Sequence, residues 1–507
     1  MARRFGALAL PAGIVALSLL LLPVASAGPG ATFRASVATD GTEGNGRSFV
    51  PAISADGRFA AFYSDASNLV AGDTNSARDV FVNDRQTGET TRMSVDSSGA
   101  EGNGDSFAPA ISADGRFVTF SSDASNLIAG DTNRVDDVFV RDRQENTTTR
   151  VSVAPGAEAN GGSYSPSISA AGRYVAFLSD ATNLVGGDTN TNRDVFVFDR
   201  QTSATTRASV DSNGVQADIE SLTPVLSADG RFVAFATFAD NLIPEDLNES
   251  SDVFLRDLQS GTTTRVSEYQ GGSEADFDNF RPAISADGRF VAFDSDAANL
   301  AWGDTNDVFD IFVKDRQTDV LTRVSVDDAG AQGNGDSLRP ALSADGRFVV
   351  FYSDAANLVP GDTNGAADVI VHDRRSGATK RVSVVGGGRE ANGDSVRPAL
   401  SADGRLVVFE SDATNLVAGD SNQFTDVFVN DPSALAPPPP APARCIVPRV
   451  VGFRLATART RIVRAKCRVG RVRRARSRRV GRVLSQSPRA RSVRPRGTRV
   501  NLVVGRR

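Results

Sequence analysis

The chain has 507 residues, 40% apolar and 23% charged, a balance that excludes a disordered polymer and a polytopic membrane protein. Its formal charge of −5 conceals a segregation: residues 444 to 507 hold 22 Arg or Lys and no acid, while residues 28 to 443 carry 61 acids against 32 bases. An acidic body with a cationic tail calls for two different partners.

In chain order, Arg3 and Arg4 precede an apolar run from Ala7 to Val24 that ends in Ala25-Ser26-Ala27. Basic, apolar and small residues in that order read as a cleavable signal peptide over residues 1–27, which predicts export with no membrane span left after cleavage. The run is near the lower limit for spanning a bilayer, which disfavours an uncleaved anchor. Gly28, where a lipid-modified chain would have Cys, argues against a lipoprotein.

Residues 28–431 are dominated by one phrase, Pro51-Ala-Ile-Ser-Ala-Asp56-Gly57-Arg58-Phe59, whose Asp-Gly recurs at 114, 229, 287, 345 and 403 and as Ala171-Gly172. The spacing is 57 or 58 residues, and self-similarity of that kind outranks any local propensity. Each copy contains four short strand patterns: in the second, Ala110 to Ser112, Arg116 to Ser121, Asp137 to Arg141 and Thr148 to Val153. The middle two are apolar on consecutive residues, so both their faces should be buried. Radially stacked four-stranded sheets bury both faces.

Seven copies begin at residues 48, 106, 163, 221, 280, 338 and 396, but the seventh lacks its fourth strand, since Asp426 to Asn430 runs into Asp431-Pro432. Thr32-Phe-Arg-Ala-Ser-Val37 matches Thr148-Thr-Arg-Val-Ser-Val153, so an N-terminal strand is expected to complete the last sheet and close the ring. The expected fold is therefore all-β, a seven-bladed β-propeller. The phrases Ser-Ala-Asp-Gly-Arg-Phe-Val-Ala-Phe and Asp-Val-Phe-Val-x-Asp-Arg-Gln-Thr-Gly resemble the TolB-type (WD40-like) propeller repeat over residues 32 to 431. That resemblance implies fold and leaves function open. The fourth copy departs most, with Phe238 in an Asp slot and Glu245-Asp246 for Gly-Asp.

Residues 432–444 form a linker whose core, Leu435 to Ala443, is a proline-rich semi-rigid spacer. Beyond it, Val447-Pro448-Arg-Val450-Val451-Gly452, an apolar-periodic helix from about Leu455 to Lys466, Gly470, Ser485-Gln486-Ser487-Pro488, Gly497 and Val500 to Val504 resemble a PASTA domain over residues 445–507. The resemblance implies a small α+β unit, a helix on a three-stranded sheet, that associates with peptidoglycan. It also puts Cys445 just before the first strand and Cys467 just past the helix, where a disulfide could join them. An even cysteine pair in an exported chain favours one bridge over a metal site. The unit departs from its family in having no acid, so an anionic wall polymer is the expected partner as much as peptidoglycan. Nucleic acid is not expected, because Phe453 is the tail's sole aromatic and offers no stacking platform.

The chain is poor in catalytic groups. His372 is its one imidazole and occupies a slot that holds Asn83, Arg141, Phe198, Arg256, Lys314 and Asn430 in other copies, which suggests a variable strand surface. Asp73, Asn75 and Asp79 in the Gly-Asp-Thr-Asn loop offer oxygens that calcium accepts, although capping of their own turn is the simpler reading. The residue before the blade-opening proline is Val50, Ala108, Ser165 and Thr223 in copies one to four but Arg281, Arg339 and Arg397 in copies five to seven. First strands line the axis, so these arginines should meet at one side of the channel mouth, ready for an anionic ligand or paired with loop aspartates. The sequence thus points to an exported, wall-associated, non-enzymatic binding protein that takes a protein, glycan or cation on its propeller. A lyase or glycosidase using propeller carboxylates is the alternative.

Overall fold

A computed structural model describes residues 32–244, 246–269, 272–386, 388–431, 444–465, 467–488, 493–495 and 499–507. The expected signal peptide and residues 435–443 of the spacer lie outside them. The chain divides into two compact units, Met1–Pro432 and Ser433–Arg507.

Among the described residues the first unit contains seven four-stranded antiparallel sheets. The second copy is representative, with strands Ser106–Ile111, Phe117–Ser122, Asp137–Asp142 and Thr147–Arg150 side by side in that order. The first strand begins four residues earlier than expected. It runs through Pro109 because its register slips between Phe107 and Ala110, and a bulge is where a residue without an N–H can sit in a strand. The fourth ends three residues early, where Ser152 turns inward and its hydroxyl donates to Asp137 at 2.5 Å. The middle strands are buried on both faces, as their unbroken apolar runs require, and six of the seven sheets hold a central phenylalanine pair such as Phe120 and Phe139, with ring centroids 5.8 Å apart, while in the other Phe351 stands opposite Ile370.

The last sheet is completed from the other end of the chain. Thr32–Arg34 pairs with Asp426–Asn430, Phe33 opposite Val429. Closure is also visible in the Ser-Ala-Asp-Gly turns, where the backbone N–H of each turn alanine donates to the carbonyl of the corresponding alanine in the next sheet. The bonds run from Ala55 to Ala113, on through Ala170, Ala228, Ala286 and Ala344 to Ala402, and from Ala402 back to Ala55, all between 2.8 and 3.1 Å. Asp56 fixes one such turn by accepting from the Ser54 hydroxyl at 2.7 Å and the Arg58 N–H at 3.0 Å. Gly57 follows at φ 72°. A Cβ at the equivalent Gly115 would overlap the Phe59 ring of the preceding sheet, and one at Gly57 would overlap Leu406 of the last sheet. The Phe59 ring also carries two guanidinium groups, Arg58 at 4.7 Å and Arg143 of the next sheet at 4.2 Å. Arg143 donates as well to the Gly115 carbonyl at 2.7 Å.

In the second unit the helix Leu455–Arg464 buries Ala458 and Ile462 against a sheet ordered Arg468–Arg476, Arg499–Arg506, Val483–Ser487. The core comprises Val447, Val450, Cys467, Val483, Val500, Leu502 and Val504 with those two helix residues. Arg444–Ile446 pairs with Val493–Pro495 in a separate two-stranded ribbon.

Tight contact at the Asp-Gly turns predicts a contrast between two glycines of like φ. Gly115→Ala should cost about 2–4 kcal/mol, from left-handed strain plus the clash with Phe59. Gly72→Ala, at φ 79° with open space around it, should cost about 1 kcal/mol. Urea denaturation of both variants measures the difference, and equal losses would mean that the turn does not bear on the neighbouring sheet.

Candidate functional site

The most repeated charges of the first unit are committed to its frame. Arg92, on a fourth strand, lies 3.0 Å from Asp79, 2.8 Å from Glu101 and 3.4 Å from Asp73. Arg150 meets Asp131, Asp137 and Glu158 in the same way. In the last sheet this role falls to Arg34 of the N-terminal strand, 3.0 Å from Asp426 and 2.8 Å from Glu43. Of the calcium candidates Asp73, Asn75 and Asp79, the two carboxylates face the Arg92 guanidinium. Asn75 holds the turn, its amide donating to Asp79 at 3.2 Å while its oxygen accepts the Ala77 N–H at 2.9 Å. Burial, reinforced by the neighbouring Asp79, pushes the Asp73 carboxyl up to about 6. No cluster of metal-ligating side chains occurs among the described residues.

His372 is not on a strand surface, which corrects the sequence reading. It is 6% exposed, and its Nδ1 shares a hydrogen bond of 2.9 Å with the Thr379 hydroxyl. The slot varies because several polar side chains can reach the same fourth-strand threonine: Asn83 donates to Thr90 at 3.0 Å and Arg141 to Thr148 at 3.2 Å. Burial lowers the His372 pKa, which favours the neutral ring.

The seven pre-proline residues come together around one cavity of about 310 Å³, walled by Val50, Ala108, Ser165, Thr223, Arg281, Arg339, Arg397 and the prolines that follow them. All seven have positive φ, from 46° to 54°, although none is glycine and two are β-branched. A left-handed residue inside a bulge re-aims its side chain, and at a non-glycine position this costs about 1–3 kcal/mol per site. The ring is therefore strained at every blade where it faces the axis.

The three arginines adjoin as expected, but their partners are not the loop aspartates. Arg281 lies 3.2 Å from Asp294, and Arg397 lies 2.7 Å from Glu410. Both acids stand on second strands, in a slot filled by Tyr63, Ser121, Leu178, Ala236 and Tyr352 in the other sheets. Sequence reasoning missed them; the available signal was this lone appearance of charge at an uncharged repeat position. The same carboxylates anchor the ring backbone: Asp294 accepts the Arg339 N–H at 2.8 Å and Glu410 the Val50 N–H at 2.6 Å. Burial pushes Asp294 up to about 6 against the pull of Arg281, and its Oδ1 has no hydrogen-bond partner among the described residues. Burial raises Glu410 too. Arg339 has no carboxylate within ion-pair distance among the described residues, and burial together with Arg397 and Arg281 lowers its pKa. Beside this charged arc Phe280 packs edge-on against Phe238 at 5.9 Å and lies 6.4 Å from Phe309, so the departure at Phe238 builds an aromatic flank.

In the second unit Cys467 is 4% exposed within the core. The Cys445 side chain lies outside what the structure describes. Phe453 is covered by the Arg461 guanidinium at 4.0 Å.

No family model matches the chain, and no curated protein matches it. Similar solved structures include TolB from Acinetobacter baumannii, at 16% identity and TM-score 0.37 over 64% of this chain and 62% of that one. An oligogalacturonate lyase from Vibrio parahaemolyticus has 14% identity and TM-score 0.48 over 79% and 93%. The β-propeller domain of the Trilobed protease from Pyrococcus furiosus has 11% and 0.48 over 76% and 93%. The neighbours thus include TolB and other β-propeller proteins, enzymes among them.

The raised Asp294 pKa has a measurable consequence. An unfolded carboxyl titrates near 3.8 and the folded one near 6, so between those values the native state holds a proton that the unfolded state has released. This carboxyl therefore adds stability as pH falls from about 6 to about 4. Thermal melts at pH 4.5 and 7.5 should show wild type gaining on Asp294→Asn at the lower pH. A gap independent of pH would place the Asp294 pKa near its ordinary value.

Proposed function

We propose that this protein is an exported, non-enzymatic binding protein: a seven-bladed, TolB-like propeller whose axial cavity takes an anionic group of a protein or glycan, linked to a basic, PASTA-like unit that holds it at the cell wall. The observation that carries the reading is the Arg339 guanidinium, set between two arginine–carboxylate pairs without a carboxylate of its own. In a low-dielectric cavity an unpaired cation gains most from an incoming carboxylate or phosphate. The rest of the first unit supports it by contrast. Repeated acids there meet repeated arginines, whereas the axial ring departs from the repeat with three arginines and two acids. The Phe238–Phe280–Phe309 flank offers apolar contact to whatever carries the anion. Residues 1–27 supply the export signal, 28–431 the propeller, 432–444 the linker and 445–507 the wall-binding unit, pinned by a Cys445–Cys467 disulfide.

Titration calorimetry with short peptides bearing a free C-terminal carboxylate, with their amides, and with acidic and neutral oligosaccharides tests this. Acidic ligands should bind better than neutral ones, and Arg339→Gln should weaken them about tenfold or more. Arg58→Gln, at the Asp-Gly turn, should leave binding unchanged. Equal affinity for acidic and neutral ligands would refute the reading.

A second reading has one observation in its favour. Asp294, with a pKa of about 6 and an oxygen without a hydrogen-bond partner among the described residues, stands 3.2 Å from Arg281, a carboxyl beside an arginine that suits a lyase acting on acidic sugars. Turnover of acidic oligosaccharides that disappears in Asp294→Asn, with binding retained, would establish it over the binding role.

A further inference from the structure

The second unit has a surface that its fold does not account for. Along Arg499–Arg506 the residues alternate, with Val500, Leu502 and Val504 buried against the helix while Arg499 and Asn501 are exposed on the other side. That outer side forms a groove of about 840 Å³. Its walls are chemically divided: Arg468, Arg471 and Arg473 come from one edge strand, Arg499 from the centre, and Ser485 and Ser487 from the opposite edge.

The strand register works against this arrangement unless an anion is present. Arg468 stands directly opposite Arg499, and Arg476 opposite Arg506. Like charges facing each other across strands are destabilising. The first unit meets such a problem by giving its fourth-strand arginines carboxylates, whereas residues 444–507 contain none. The groove's neutral polar groups are Ser485, Gln486, Ser487 and Asn501, beside the apolar Val469, Leu502 and Val503. Asn501 keeps its oxygen on the Arg471 N–H at 2.8 Å, leaving its amide N–H groups for a ligand. No aromatic ring lines the groove, and Phe453 is already stacked under Arg461.

We propose that this groove binds a linear phosphodiester polymer with hydroxylated repeat units, its phosphates held by Arg468, Arg471, Arg473 and Arg499 and its hydroxyls by Ser485 and Ser487. Arginine is the side chain that matches phosphate with paired N–H groups, and serines opposite it suit a polyol better than a base. A single-stranded nucleic acid would find the charge but no ring on which to stack. The inference rests on the reading that this unit holds the protein at the wall, and supplies the site and ligand chemistry for it.

The test uses the full chain, synthetic poly(glycerol phosphate), a single-stranded oligodeoxynucleotide of equal charge, and isolated cell wall with and without its phosphate polymers. Wild type should prefer poly(glycerol phosphate) to the oligonucleotide. R471E/R473E should bind it about tenfold or more weakly. R459E/R464E removes the same charge from the helix, away from the groove, and should change affinity by less than about twofold. Thermal melts confirm that both variants fold. Equal losses in the two variants would overturn the groove in favour of a diffuse field, and preference for the oligonucleotide would overturn the ligand class. Wild type that binds stripped wall but not the polymer would also sink this inference while sparing wall attachment; failure to bind either wall preparation would sink the attachment itself.

Discussion

A circle of seven backbone hydrogen bonds, from Ala55 through Ala402 and back, is the constraint on which the first unit depends. Each bond joins turns in adjacent sheets, so none can be satisfied within a single repeat. In the Ser-Ala-Asp-Gly-Arg-Phe phrase the serine and aspartate fix the turn itself, while the alanine, glycine and aromatic meet the neighbouring sheet. The glycine leaves room for the neighbour's ring, the aromatic fills that room, and the arginine covers it. Where Asp becomes Ala171 the turn loses a carboxylate cap yet keeps Gly172, which indicates that clearance matters more than the cap.

Charge is organised by the same logic. A buried guanidinium among several carboxylates is costly to desolvate, and such a cluster stands only when its lone pairs and protons are matched. Arg92 achieves this with Asp73 of the second-to-third-strand loop, the third-strand Asp79 and Glu101 of the following loop, while Arg207 and Arg323 keep the first two partners and have Gln216 and Gln332 in the third slot. The cluster therefore locks the fourth strand to the loops that would otherwise be freest to move. The last sheet obtains its arginine from residue 34, nearly four hundred residues away from Asp426, so chain closure and charge closure are one event.

The axial ring shows how a repeat becomes a site. Strain at the seven pre-proline positions is a property of the architecture, shared by Val50 and Arg339 alike. What differs is the side chain that the bulge turns toward the axis, small or apolar on one side and cationic on the other. Asp294 and Glu410 hold two of the cations and the ring backbone together, which leaves Arg339 as the arginine of the three without a carboxylate in ion-pair distance among the described residues. The second unit lacks acids altogether and leaves its charge at the surface, on a sheet face whose reverse is an ordinary apolar core.

The sequence by itself determined the unit of repetition, the buried middle strands, the N-terminal strand that completes the final sheet and the meeting of Arg281, Arg339 and Arg397. These follow from local pattern and from counting, since a period of 57 or 58 residues places equivalent residues at equivalent radii. Tertiary structure alone decided the pairings. That Asp73 and Asp79 face Arg92, that His372 is buried beside Thr379, and that Asp294 and Glu410 serve the channel arginines all depend on distances between strands. Hydrogen bonds and ion pairs are short-ranged and directional, and a one-dimensional pattern specifies which groups are present without specifying which of them come within 3 Å of each other.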